Sequence, residues 1–318
     1  AGKAKDKVDI ALDRGARFIV NSQEASGTFA DPKAGRKAAR RGYTPTALGL
    51  LALASIGHQP GDPNREGGAM KRALGYMLRN DRQRSGVTTE YYGHDYDGGR
   101  MYGHGIATLC LTEMMGMGVD RDQERLLRKY TTKAVDLILV SQKANKRNPA
   151  HRGGWRYDPT SGDSDLSVTV WQLMALRSAQ NAGVRVPKQN IDLAVKYLER
   201  SYQSGRNARG EPTNLKSGFG YTPNSRRPGY ASTSAGLLSL QVCNRTDAPE
   251  VIGVPEIEGE SLVDADSQER SNLAYFLKAE DSAVKLHRLF TVSHGYYGVI
   301  QHCGHDFPPG RSCFASAS

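Results

Sequence analysis

The residues best suited to chemistry in this sequence are two aspartate pairs. Asp163-Ser164-Asp165 stands directly before the apolar run Leu166-Ser167-Val168-Thr169-Val170, and Asp95-Tyr96-Asp97 has Tyr91, Tyr92, His94 and Tyr102 close by in the chain. Carboxyl groups placed like this can act as proton donors. An acid ringed by tyrosines also suits stabilisation of a cation by the ring faces. The same residues have a plainer use: Asp165 or Ser167 can cap the helix that follows, and a tyrosine-rich loop can pack on its own rings. His104, with Arg100, Tyr102 and Arg156, supplies the residue types of a lyase-like cleft without a diagnostic spacing, while a histidine at a helix start also makes a good partner for backbone groups. Candidate catalytic residues are therefore Asp165, Asp163, Asp95, Asp97 and His104. Candidate ligand contacts are Tyr92, Tyr102, Trp155, Tyr157, Trp171, Phe219 and Tyr221, with Trp155 better suited to anchor packing than to touch a ligand. His294, His302, Cys303, His305 and Cys313 match no closed metal-site spacing, so neither a metal nor a cofactor is expected.

The elements that must position these residues repeat along the chain. Four segments share one apolar pattern: Gly49-Leu50-Leu51-Ala52-Leu53, Ala107-Thr108-Leu109-Cys110-Leu111, Gln172-Leu173-Met174-Ala175-Leu176 and Gly236-Leu237-Leu238-Ser239-Leu240. Their spacing gives a period of about sixty residues. Each follows a more amphipathic segment, near Phe18-Ile19, Tyr76-Met77, Leu137-Ile138 and Tyr197-Leu198. Between the two lies a glycine-aromatic element: Gly27-Thr28-Phe29, Gly99-Arg100-Met101-Tyr102, Gly153-Gly154-Trp155 and Gly218-Phe219-Gly220-Tyr221. Leucine, alanine and methionine outweigh β-branched residues, which favours helix over strand. The unit is thus helix, glycine-aromatic loop, helix, with the first helix polar on one face and the second apolar nearly all round. The expected units are about 8–57, 68–119, 132–183 and 190–243. Residues 247–270 would form an acidic connection and 271–318 a degenerate fifth repeat or irregular cap, one domain in all.

Composition narrows the partners. The 318 residues carry 43 Lys and Arg against 33 Asp and Glu, a formal +10. The basic excess gathers in residues 1–41 and is offset by the acidic stretch 247–270. No zinc-finger spacing, RNP signature or helix-turn-helix accompanies it, so nucleic-acid binding is not expected, whereas peripheral contact with an anionic membrane is compatible with it. The longest apolar stretch, residues 46–57, is far below the ~20 needed to span a bilayer. Four cysteines in a chain this long make no disulfide framework. The expectation is a soluble protein, with a cytoplasmic or exported location left open.

The first unit resembles the QW repeat of squalene–hopene and oxidosqualene cyclases, a repeat shared more distantly with protein prenyltransferase β subunits. Arg14-Gly15, Phe18-Ile19, Gln23 and Gly27-Thr28-Phe29 follow the pattern with Phe for Trp, and the third unit follows it with Lys133-Ala134, Leu137-Ile138, Gln142 and Gly153-Gly154-Trp155. The second and fourth units place Asp81 and Tyr202 where Gln is expected. The stretch 153–176, with Tyr102-Gly103-His104-Gly105, is similar to bacterial prenyltransferase/squalene-oxidase-repeat proteins. The resemblance spans roughly residues 8–243. It implies an all-α fold, an α/α toroid or partial toroid of helical hairpins around a cavity.

The resemblance also frames the function. Cyclases of this kind protonate an alkene or epoxide with an Asp-x-Asp-Asp motif, and Asp163-Ser164-Asp165-Leu166 matches it with Asp165 as the central acid and Leu166 in place of the last Asp. Zinc-dependent prenyl transfer would need Cys and His ligands, and Ser167 and Val168 stand near the corresponding position instead. The complement-type thioester sequence is absent, Cys110-Leu111-Thr112-Glu113 being unlike it. Two functions follow as expectations. One is a terpene-cyclase-like isomerase or lyase acting on, or binding, a hydrophobic isoprenoid. The other is a non-catalytic toroid that binds a peptide, glycan or lipid.

Overall fold

The computed structural model describes residues 7–29, 42–79, 91–92, 100–215 and 217–252. The chain divides into two compact units, 1–254 and 255–318, and every described residue lies in the first. Asp81, His94, the pair Asp95 and Asp97, most of the acidic stretch and the expected fifth repeat therefore lie outside the described residues.

The described residues are helical: α1 (Lys7–Asn21), α2 (Tyr43–Ser55), α3 (Arg65–Met77), α4 (Arg100–Met114), α5 (Arg121–Gln142), α6 (Leu166–Asn181), α7 (Lys188–Ser201), α8 (Tyr230–Val242) and the single turn α9 (Pro249–Ile252). Extended pairing among them is confined to isolated bridges such as Gln23 with Phe29 and Tyr202 with Phe219. None of these helices is long and apolar enough to cross a membrane.

The helices form two rows. α2, α4, α6 and α8 pack side by side in chain order, while α3 lies on α1 and α2, α5 on α4 and α6, and α7 on α6 and α8. Sequence dictates the division. In α6 ten of sixteen residues are buried, among them Leu166, Val168, Leu173 and Leu176, as expected of a helix covered on several sides. α7 instead buries Ala194, Val195, Tyr197 and Leu198 and turns Asp192, Lys196 and Arg200 to solvent. The four leucines that end the repeated pattern, Leu53, Leu111, Leu176 and Leu240, are all in the core. α3 and α5 begin with well-formed caps, Asn64 accepting from Gly67 N–H at 2.7 Å and Asp120 from Gln123 N–H at 2.8 Å, whereas α7 starts after Pro187 with no side-chain cap.

Two glutamines tie consecutive units together. Gln23 Nε2 donates to Gly27 O at 3.1 Å and to Ala69 O at 2.8 Å. Gln142 Nε2 makes the equivalent pair, to Gly153 O and Asn190 O, both at 2.9 Å. Each amide therefore joins the end of one second-row helix to its own loop and to the next second-row helix. The loop must then pass very close to that next helix. Gly27 and Gly153 have φ of +94° and +95°, and a Cβ on either would overlap the carbonyl of Arg72 or Leu193. Only glycine meets both demands.

A second link fixes the register inside each unit. Thr46, His104, Thr169 and Thr233 each stand seven residues before the buried leucine of their helix. Their side chains accept the backbone N–H of Phe29 (3.2 Å), Tyr92 (3.2 Å), Trp155 (3.1 Å) and Phe219 (3.1 Å) respectively. This corrects the sequence expectation for the second unit. Its loop aromatic is Tyr92, whereas Arg100, Met101 and Tyr102 are the first turn of α4. Tyr92 follows another tyrosine instead of Gly-x, and that departure hides it from a motif reading. The acidic stretch likewise opens with the helical turn α9 before the described residues end.

Candidate functional site

The starts of α4 and α6 and the loop before α8 converge on one group of side chains. α6 opens with Asp165 as its N-cap, in extended geometry at φ −137° and ψ 162°. Asp165 Oδ1 accepts from Val168 N–H at 2.8 Å and from the Ser167 hydroxyl at 2.6 Å. The residue is fully buried, and its Oδ2 accepts no hydrogen bond. That oxygen faces Arg156 Nη1 at 3.2 Å, and Arg156 Nε lies 3.7 Å from the more exposed Asp163.

Tyrosines wall this pair. The Arg156 guanidinium sits 4.5 Å from the Tyr157 ring centre and 5.7 Å from that of Tyr221. The two phenols meet oxygen to oxygen at 2.8 Å. Tyr102 stacks on Tyr157 with centroids 6.4 Å apart and planes 22° apart. The tyrosines are placed by backbone: Tyr157 O accepts Met101 N–H and Tyr221 O accepts Leu166 N–H, both at 2.9 Å. Each loop thus closes the first turn of the preceding row helix, satisfying an otherwise orphan donor. Burial raises the pKa of Tyr102 and of Tyr221, and the negative charge of Asp165 adds to both, so these phenols keep their protons at neutral pH.

The floor of the site is held from behind. Lys146 Nζ donates to Ser161 O at 2.9 Å and Asp163 O at 2.8 Å, and burial lowers its pKa to about 8. His151 Nδ1 accepts the Ser164 N–H at 3.0 Å, with the Ser164 hydroxyl at 2.9 Å. These are the residue types of a nucleophile and its base. Ser164 is fully buried, however, and the arrangement shapes the loop between Asp163 and Asp165.

The structure therefore gathers Asp163, Asp165, Tyr102, Tyr157 and Tyr221 into one place. Of the other named candidates among the described residues, none joins this group. Tyr92, Trp155 and Phe219 are core residues, and Trp171 is half-buried between the two core clusters. Trp155 donates its indole N–H to Ile138 O at 2.9 Å, an anchor for the loop. Arg156, Lys146, Ser167 and the Ser164–His151 pair complete the floor and walls. Sequence reasoning names Arg156 only with Tyr102, Arg100 and His104 and Ser167 as a helix cap, and it does not single out Lys146 or His151.

His104 serves the register of the second unit. Its Nδ1 accepts from Tyr92 N–H, so Nε2 carries the proton and donates to Ala134 O at 2.9 Å. Burial lowers its pKa from 6.5 to about 4. The unfolded chain then takes up this proton first. The neutral-state stabilisation is complete above pH 6.5 and is lost as pH falls toward about 4, on the order of 3 kcal/mol in all. Urea melts across this window should show that loss in wild type and a flatter dependence in His104→Gln. Parallel curves would refute the assignment.

No family model matches the chain, and neither a curated protein nor a solved structure is significantly similar to it.

Proposed function

We propose that the chain is a binding module of the α/α-toroid or partial-toroid kind that runs no cyclisation chemistry. The observation that carries this reading is the Arg156–Asp165 pair beneath Tyr157 and Tyr221. An acid that protonates an alkene must give up a proton to it, and the surrounding rings must be free to face the cation that results. In this site Asp165 Oδ1 accepts two hydrogen bonds, Oδ2 faces a guanidinium, and the ring faces already hold that positive charge. The ordered row of α2, α4, α6 and α8 with a second row behind it supports the toroid-like architecture.

One observation favours a hydrophobic isoprenoid as an alternative ligand. Leu48 and Trp171 hold one equivalent position of the row helices, Leu51, Met174 and Leu238 another, and all five remain partly exposed. The deciding experiment incubates the purified chain with squalene and with prenyl diphosphates, with Asp165→Asn as control. The expected result is no cyclised or transferred product from either protein. Product from wild type that disappears in Asp165→Asn would overturn the module reading.

A further inference from the structure

We infer that the tyrosine-walled pocket is a receptor for a guanidinium group, with Arg156 as its resident occupant and the ligand's competitor. The inference rests on the module reading and names the ligand class of the same site. Its starting point is an imbalance in how the two partners are satisfied. Asp165 is fully buried, yet Oδ2 has no hydrogen-bond partner. A buried carboxylate oxygen left without a hydrogen bond is unusual and requires a reason. Arg156 Nη1 stands 3.2 Å away without the alignment of a hydrogen bond, and Nε is drawn toward Asp163 at 3.7 Å on the exposed side. The guanidinium is held by charge and by ring faces, shared between two carboxylates instead of locked in a two-point clasp on one.

The surroundings fit a planar cation. Tyr157 gives a face at 4.5 Å and Tyr221 a second at 5.7 Å. Tyr221 is 40% exposed, so this wall of the site meets solvent. Tyr102 and Ser167 supply further hydroxyls around the same carboxylate. Asp163 offers Arg156 a place to go, with half of its own side chain in solvent. An incoming guanidinium with no tether to the Trp155 loop can align on Oδ2 as Arg156 cannot, and Arg156 then pairs with Asp163. In wild type the ligand must first displace Arg156, so its apparent affinity is reduced by the fraction of molecules with the seat empty. Removing Arg156 removes that penalty.

Isothermal titration of the full chain with agmatine tests this, with potassium chloride at matched ionic strength as the blank and an arginine-containing tripeptide as a second probe. Arg156→Ala is expected to bind agmatine roughly tenfold or more tightly than wild type. Adding Asp165→Asn should abolish that gain, and adding Tyr221→Ala, at an exposed loop residue, should reduce it, with native helix content verified in every variant by circular dichroism. Binding of agmatine alone assigns the seat to the guanidinium of a small free molecule, and binding of both probes assigns it to an arginine side chain. Heats equal to the salt blank in Arg156→Ala would overturn the inference, as would agmatine binding that neither Asp165→Asn nor Tyr221→Ala diminishes. Either result leaves the module reading intact, because that reading fails only on formation of an isoprenoid product.

Discussion

Trp155→Ala should destabilise the folded chain by about 3–5 kcal/mol, the range for deleting a large buried aromatic. Trp155 is 1% exposed and carries three links at once. Its backbone N–H goes to Thr169, its carbonyl accepts Asp165 N–H at 2.9 Å, and its indole N–H reaches Ile138 O. Truncation leaves a cavity between α5 and α6 and frees the loop that carries Arg156. Trp155→Phe should be much milder, about 1–2 kcal/mol. Phe29 and Phe219 fill this position in other units, and Ile138 O keeps a donor in the Ser141 hydroxyl at 2.9 Å. Equilibrium denaturation of the three proteins measures the difference. Equal losses for the Ala and Phe variants would show that the indole N–H, and not the ring volume, is what the fold needs.

Gly153→Ala is expected to cost roughly 2–5 kcal/mol, combining left-handed backbone strain with a steric overlap. The added methyl would be driven into the Leu193 carbonyl of α7. The Gln142 bridge to Gly153 O and Asn190 O spans this same contact, so the loop has little freedom to move away. Gly183 separates the two contributions. Its φ is +77°, but a Cβ there meets nothing within 4 Å. Gly183→Ala should therefore cost only the backbone part, about 1–2 kcal/mol. Denaturation midpoints that fall equally in the two variants would refute the close approach of loop and helix.

The repeat was legible because it is written in large apolar residues. The leucines at 53, 111, 176 and 240 mark one buried position of a helix, and each pattern falls inside a first-row helix. Gln23 and Gln142 could be named because Gly-x-aromatic follows at short range. Tyr92 was named only as a candidate ligand contact and not as the loop aromatic, since its loop lacks that signature and its tie to α4 depends on His104 replacing threonine. Counting back seven residues from each leucine would have revealed this, because a ring nitrogen and a hydroxyl oxygen can accept the same backbone N–H. The candidate site was half legible. Asp165 was marked by its place before an apolar helix, and the capping role set against proton donation is the one its Oδ1 performs. Arg156 was named beside Tyr102 but not beside Asp165, because nothing local in sequence reveals that a tyrosine sixty-odd residues further on will come to rest beside it.

That long reach also sets an order of assembly. The first turn of α4 is closed by Tyr157 O and the first turn of α6 by Tyr221 O, each supplied by the unit that follows. During synthesis a unit leaving the ribosome carries a row helix whose opening N–H waits for chain not yet made. α4 and α6 can pack as they emerge, but each gains this first-turn bond only when the following unit arrives. Closure of these two helices therefore lags one unit behind translation, and the group around Arg156 is completed only once the Tyr221 loop has been delivered.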